Sequence, residues 1–128
     1  MPHAEKPVLE PEDAKLVTLA RMARTRAYAP HTGVADGAAV RDTDGRTYAA
    51  ATVENADPAL TTSALRGAMV AAVSSGISTF EAAVLLSDAT EPEQASVRPG
   101  DEPVLREFGV PVVHFAAADG RLLRTWTL

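Results

Sequence analysis

The sequence predicts a single α/β domain, and three observations predict it. Segments patterned as helices and as strands alternate along the chain instead of separating into two blocks. Asp44-Gly45 and Asp119-Gly120 each lie between two strand-like runs, and Asp-Gly tolerates the positive φ of a tight hairpin turn. The run from Ala59 to Ser74 is apolar on nearly every side, the mark of a helix buried between other layers.

Taken in order, Pro2, Pro7 and Pro11 set off residues 1–10 as a tail expected to be mobile, leaving 11–128 as the domain. Pro11-Glu12-Asp13 open a helix to about Ala27, with acids in its first turn and Arg21, Arg24 and Arg26 near its end, as the helix dipole favours. Leu16, Leu19, Ala20 and Ala23 give that helix its apolar stripe. Val34 to Arg41 and Arg46 to Thr52 form the first hairpin, and the central helix from Ala59 to Ser74 ends at Gly76. Phe80 to Leu86, rich in Ala, Val and Leu, is a strand, and Ser87 to Arg98 is a polar loop. Gly100-Asp101-Glu102-Pro103 starts a short helix, with Asp101 suited to the cap and Pro103 tolerated in the first turn. Val110 to Ala116 and Arg121 to Thr127 form the second hairpin.

Composition narrows the function. A chain of 128 residues with 46% hydrophobic content can bury one core. The net charge of −5 and the dispersed arginines argue against a nucleic-acid partner, whose phosphates select clustered Lys and Arg. No apolar run approaches the roughly 18 residues of a membrane span, and Met1 to Lys6 lacks a signal pattern, so the expected location is the cytoplasm. The chain contains no cysteine, which excludes thiol catalysis.

Two segments carry a family resemblance. Thr52-Val53-Glu54-Asn55-Ala56, followed by Leu60-Thr61-Thr62-Ser63-Ala64-Leu65-Arg66, resembles the cytidine deaminase pattern Asn-Val-Glu-Asn-Ala, spacer, Leu-Thr-x-Cys-Ala-Glu-Arg. Val104-Leu105-Arg106-Glu107-Phe108 matches the tail of that family's Pro-Cys-Gly-x-Cys-Arg-Gln-Val-Leu-Arg-Glu-Phe. Ala27-Tyr28-Ala29-Pro30 and Gly37-Ala38-Ala39 match its Ala-Tyr-x-Pro-Tyr-Ser-x-Phe-x-Val-Gly-Ala-Ala. The resemblance implies the three-layer fold of that family, a mixed five-stranded sheet flanked by helices.

What the resemblance implies about chemistry is mostly loss. The family's zinc-binding cysteines fall on Ser63, Arg98 and Asp101, and its proton-shuttling glutamate falls on Leu65. Zinc needs three N, S or carboxylate ligands at about 2.0 to 2.3 Å with one position open, and this set does not supply them. No zinc is therefore expected. The base-stacking Phe falls on Val34, and of the two residues that bind ribose the Asn falls on Thr52 while the Glu is kept as Glu54. His31 lies in the loop where the family places an aromatic residue near the pocket.

The polar candidates keep two readings each. Glu54 is a ligand-pocket carboxylate or a strand-end acid; Asp101 is a functional acid or a helix cap. Arg66, which in the family donates to zinc thiolates, is expected to pair with a carboxylate, since an unpaired buried charge is expensive. A network in which Arg66 and Arg98 face Glu54 and Asp101 is expected to fill the emptied metal site. His114 reads as a satisfied or surface histidine on a strand, and His3 lies in the tail. The function expected is a catalytically inactive member of the family, a pseudoenzyme serving as a binding or assembly module. Its expected partners are copies of itself in a dimer or tetramer, or an active paralogue, with a small-molecule ligand of unknown identity. The alternatives are a metal-independent enzyme in the remodelled pocket and a true cytidine deaminase with an atypical site.

Overall fold

A computed structural model describes residues 9–128, so most of the stretch read as a tail lies outside the described residues. Helix α1 (Pro11–Arg24) starts with Pro11 in its first turn and carries acids at its amino end and Arg21 and Arg24 at its carboxy end. Strands β1 (Gly37–Asp42) and β2 (Thr47–Ala51) pair antiparallel across a turn in which Gly45 has φ +88°. Helix α2 (Ala64–Ser74) leads to β3 (Phe80–Leu86), and helix α3 (Asp101–Glu107) to β4 (Val112–Ala116) and β5 (Leu122–Thr127). Short 3-10 turns at Pro58–Leu60 and Pro92–Gln94 punctuate the connections. The sheet has five strands in the order β2-β1-β3-β4-β5, mixed because only β3 and β4 run parallel, joined by the α3 crossover.

Strand alternation sorts the core into two faces. On one, Ala39, Val84, Leu86 and Ala116 meet Leu16, Val17 and Ala20 of α1. On the other, Val40, Leu85, Val113 and Phe115 meet Leu65, Ala68 and Met69 of α2 and Leu105 of α3. Helix α1 is also fixed by charge: Asp13 in its first turn lies 2.9 Å from Arg41 Nη2 and 3.0 Å from His114 Nε2. His114 Nδ1 is 2.8 Å from Thr125 Oγ1, so both ring nitrogens have partners.

Several boundaries differ from the sequence expectation, each for a local reason. Helix α1 ends at Arg24, where residues 25–27 tighten into short-range turns (Arg26 N to Ala23 O, 2.9 Å). The helix expected from Ala59 begins only at Ala64. Asp57 caps a separate turn by accepting from Ala59 N at 3.0 Å, and Thr62 then runs extended to pair with Val53. Strand β1 starts at Gly37 instead of Val34, because the amide of Asp36 is taken by Thr52 Oγ1 at 3.0 Å rather than by the ladder. Asp101 is not the cap of α3; Gly100 holds that place with φ +88°, and Asp101 is the first helical residue. The ends of α2 and α3 share one device, a left-handed glycine at Gly76 or Gly109 with the next amide bonding back to Ala72 O or Leu105 O. Among the described residues no helix is long and apolar enough to cross a membrane.

Candidate functional site

Four chain segments converge on a cleft of about 310 Å³: the entry to β1, the exit from β2, the start of α2 and the loop before α3. The exit from β2 is held on both sides. Tyr28 N donates to Thr52 O at 2.9 Å and Glu54 N to Tyr28 O at 2.7 Å, while Val53 and Thr62 exchange both backbone bonds. That small ladder brings Thr52 and Glu54 to the cleft wall, opposite Ser63 and Arg98.

Glu54 is turned toward the 31–34 loop. Its Oε1 accepts from the amides of His31 (2.9 Å) and Thr32 (3.2 Å), and its Oε2 accepts from the Thr32 hydroxyl. The Thr32 hydroxyl and these amides hold the Glu54 carboxyl below the usual carboxylate range, against its burial. Thr32, Val34 and Thr52 line the cleft. His31 contributes its backbone amide, and its exposed side chain is not part of the wall.

The second centre is Ser63-Asp101-Arg66. Ser63 caps α2: its hydroxyl oxygen accepts from Arg66 N at 3.2 Å and Arg66 Nε at 3.1 Å, and the hydroxyl donates to Asp101 Oδ1 at 2.5 Å. Asp101 has no exposed surface, and its Oδ2 accepts from the backbone amide of Arg98 at 2.8 Å. Burial pushes its carboxyl above the ordinary aspartate range, with the bonds from Ser63 and Arg98 and the charge of Arg66 opposing. Arg66 Nε lies 3.5 Å from Asp101 Oδ1, and its Nη2 donates to Thr61 O at 3.2 Å.

The third centre lies outside the expected network. The Arg98 guanidinium grips Asp36 bidentately, Nε to Oδ2 at 2.7 Å and Nη2 to Oδ1 at 2.8 Å. This pair holds the Arg98 guanidinium above its ordinary pKa. The structure therefore joins Arg66 and the backbone of Arg98 to Asp101, gives the Arg98 side chain to Asp36, and leaves Glu54 with the loop. The geometric reason is that the amides of His31 and Thr32 and the Thr32 hydroxyl supply three donors to Glu54, so no guanidinium is needed to satisfy it. Sequence reasoning missed Asp36, although a signal exists: an acid directly before Gly37-Ala38-Ala39, where the family pattern has Val, sits at the entry of a fully buried strand and needs a partner.

Leu65 belongs to the core and is not part of the cleft wall. At the cleft, the hydroxyl of Ser63 and the carboxylate of Asp101 are bonded to each other, and the guanidinium of Arg98 stands beside them on Asp36. The three positions that the resemblance matches to ligands thus offer one alcohol, one guanidinium and one carboxylate, which do not suit zinc, since it takes several thiolate, imidazole or carboxylate donors.

A family model described as cytidine deaminase-like matches residues 9–120. The chain belongs to the cytidine deaminase-like family. A curated relative, cytidine deaminase of Sporosarcina psychrophila, is 35% identical over 78 residues, a stretch covering 61% of this chain and 57% of that protein. Among solved structures, cytidine deaminase from Burkholderia pseudomallei superposes with a TM-score of 0.80 at 28% identity, covering 88% of this chain and 90% of that one. The Mycobacterium tuberculosis enzyme gives a TM-score of 0.68 at 26% identity over 90% of this chain and 91% of its own. The α/β arrangement expected from the resemblance, with its mixed five-stranded sheet, is thus the fold of these enzymes.

Proposed function

We propose that this protein is a cytidine deaminase-like binding module without deaminase chemistry, working as an oligomer in the cytoplasm and requiring no zinc. The observation that carries this reading is the closed hydrogen-bond set at Ser63, Asp101 and Arg66. At positions where the family resemblance places two metal ligands, these groups satisfy one another. Ser63 Oγ accepts twice and gives its one proton to Asp101, whose two oxygens are both occupied. Leu65, at the place of the proton shuttle, is buried among apolar side chains and offers no acid or base. The surviving cleft keeps Thr52 and Glu54 on its wall, so a small ligand still has somewhere to bind.

A second reading, a metal-independent enzyme, would stand on the Ser63–Asp101 pair. It is the weaker one, because among the described residues no further base is placed to orient that pair, and the serine oxygen is fully engaged. The test is elemental analysis of purified protein together with ammonia release from cytidine and deoxycytidine. Substoichiometric zinc and no ammonia are expected; one zinc per chain with turnover of cytidine would overturn the reading.

A further inference from the structure

In the cleft, every carboxylate oxygen already holds a donor, whereas the guanidinium donors are not all used. Both oxygens of Asp36 are taken by Arg98, both of Asp101 by Ser63 and the Arg98 amide, and both of Glu54 by the 31–32 segment. The two guanidinium groups are only partly used. Arg66 commits Nε and Nη2, Arg98 commits Nε and Nη2, and neither Nη1 has a partner among the described residues. Both side chains line the cleft and are about one-third exposed, 34% and 38%. A guanidinium cannot lose its proton near neutral pH and offers planar paired donors that match an oxyanion. The start of α2 at Ser63 adds the positive end of an 11-residue helix to the same wall. The remaining surface is short and apolar, from Val34, Pro58 and Pro99.

Resting on the reading of this cleft as a ligand site, we infer that its ligand is a small organic oxyanion, a phosphate ester or carboxylate with a compact body, held by Arg66 and Arg98. A neutral sugar or nucleoside brings no charge to the two guanidinium groups, and its hydroxyls would face carboxylate oxygens that each already hold a donor. The anionic group would bridge the two free Nη1 positions, and the body would lie against Val34 and the two prolines. Carboxylates near the cleft do not cancel this attraction equally. Asp36 is neutralised by Arg98, Glu54 is wrapped by three donors, and Asp101 is buried behind Ser63, whereas Arg66 meets its acid only at 3.5 Å.

The experiment is a two-dimensional amide and arginine Nε NMR titration of the full chain with inorganic phosphate, ribose 5-phosphate, ribose and cytidine, at fixed ionic strength. Ribose 5-phosphate is expected to perturb Ser63, Arg66, Arg98 and Gly100 saturably, at least about tenfold more tightly than ribose or cytidine. Arg66→Gln, whose fold is checked by the unchanged remainder of the spectrum, should weaken it by about tenfold, while Arg21→Gln on the far helix should not. Added salt should also weaken it, as screening requires. Tighter binding of cytidine than of ribose 5-phosphate would overturn the oxyanion inference and leave the binding-module reading standing. A cleft that responds to none of the four compounds would overturn both. Phosphate shifts that persist in Arg66→Gln and Arg98→Gln together would overturn the assignment to these arginines.

Discussion

Asp36 and Arg98 stand 62 positions apart and meet in a bidentate ion pair whose acid is 2% exposed and whose base is open to solvent. Such asymmetric burial gives a specific energetic signature. Removing Arg98 strands a desolvated carboxylate, whereas removing both partners leaves only a changed packing. We predict that Arg98→Ala costs about 2 to 3 kcal/mol, less than a fully buried pair because the guanidinium is partly solvated. Asp36→Ala in the Arg98→Ala background should then cost much less than alone, giving a coupling of about 1 to 3 kcal/mol in a denaturant double-mutant cycle. Additive losses would show that the pair is a surface contact. Asp101 makes a separate prediction through pH. Its folded-state pKa is raised, so the stability tied to its protonation is fully present below the ordinary aspartate range and is lost as pH rises through the raised value. As pH falls from neutrality toward the ordinary aspartate range, parent stability should therefore rise relative to Asp101→Asn, which cannot take up that proton. Parallel pH profiles for the two proteins would refute it. Glu54 works in the opposite sense: its lowered value means that its contribution is held above the ordinary glutamate range and lost only as pH falls through the lowered one. Of these residues, Ser63 and Arg66 share one motif and Asp101 lies in the second, and they were legible as a neighbourhood because the family resemblance brings those two segments to one site. The partner of Arg98 was not, because the motif covers Arg98 and not the distant residue that its side chain meets.

Elements show the same division between what local pattern specifies and what packing decides. Both Asp-Gly hairpins and β3 were readable, since turn chemistry and a short, nearly continuous apolar run act over a few residues. The start of α2 was not, because apolar content in Ala59 and Leu60 looks helical until the extended pairing of Thr62 with Val53 claims the backbone. Gly37 is the clearest case of tertiary control. A Cβ built there would lie 2.0 Å from the carbonyl oxygen of Ala20 and 2.8 Å from the backbone nitrogen of Arg24, so α1 presses its main chain directly onto the first residue of β1. We predict that Gly37→Ala, a conservative change by composition, costs about 2 to 4 kcal/mol because a helix backbone must retreat. Thermal unfolding with a midpoint within a degree of the parent would refute that account of the glycine. The same change should reach the cleft, because Asp36 and Ala35 are its neighbours and Ala35 O accepts from Arg24 Nε at 2.8 Å.

At the scale of the whole molecule, apolar side chains are left outside the two core clusters. Tyr28 and Val53 are bridged neighbours that are 56% and 53% exposed, and Leu60 and Val70 are 64% and 63% exposed. Isolated exposed apolar residues are ordinary, but these lie on the segment next to the cleft and on α2, and apolar side chains grouped in this way mark interfaces. We predict a dimer or tetramer by light scattering at micromolar concentration, with Val53→Asp combined with Leu60→Asp shifting the mass toward the monomer. A monomeric parent protein would refute it. The burial of Leu65 has a consequence of another kind, in the history open to such a chain. Leu65 has no exposed surface and packs with the residues of α2 and the sheet. On the function proposed above, a return to deamination would need an acid at that place. Introduced first, it would be an unpaired carboxylate in an apolar setting, costing several kcal/mol from a total that for domains of this size is on the order of 5 to 15 kcal/mol. Introduced last, it would follow metal ligands that confer nothing without it. On that same reading each single step toward deamination is penalised before any step is rewarded, so the sequence would be free to diversify what the cleft holds while its own core stands against acquiring that reaction one substitution at a time.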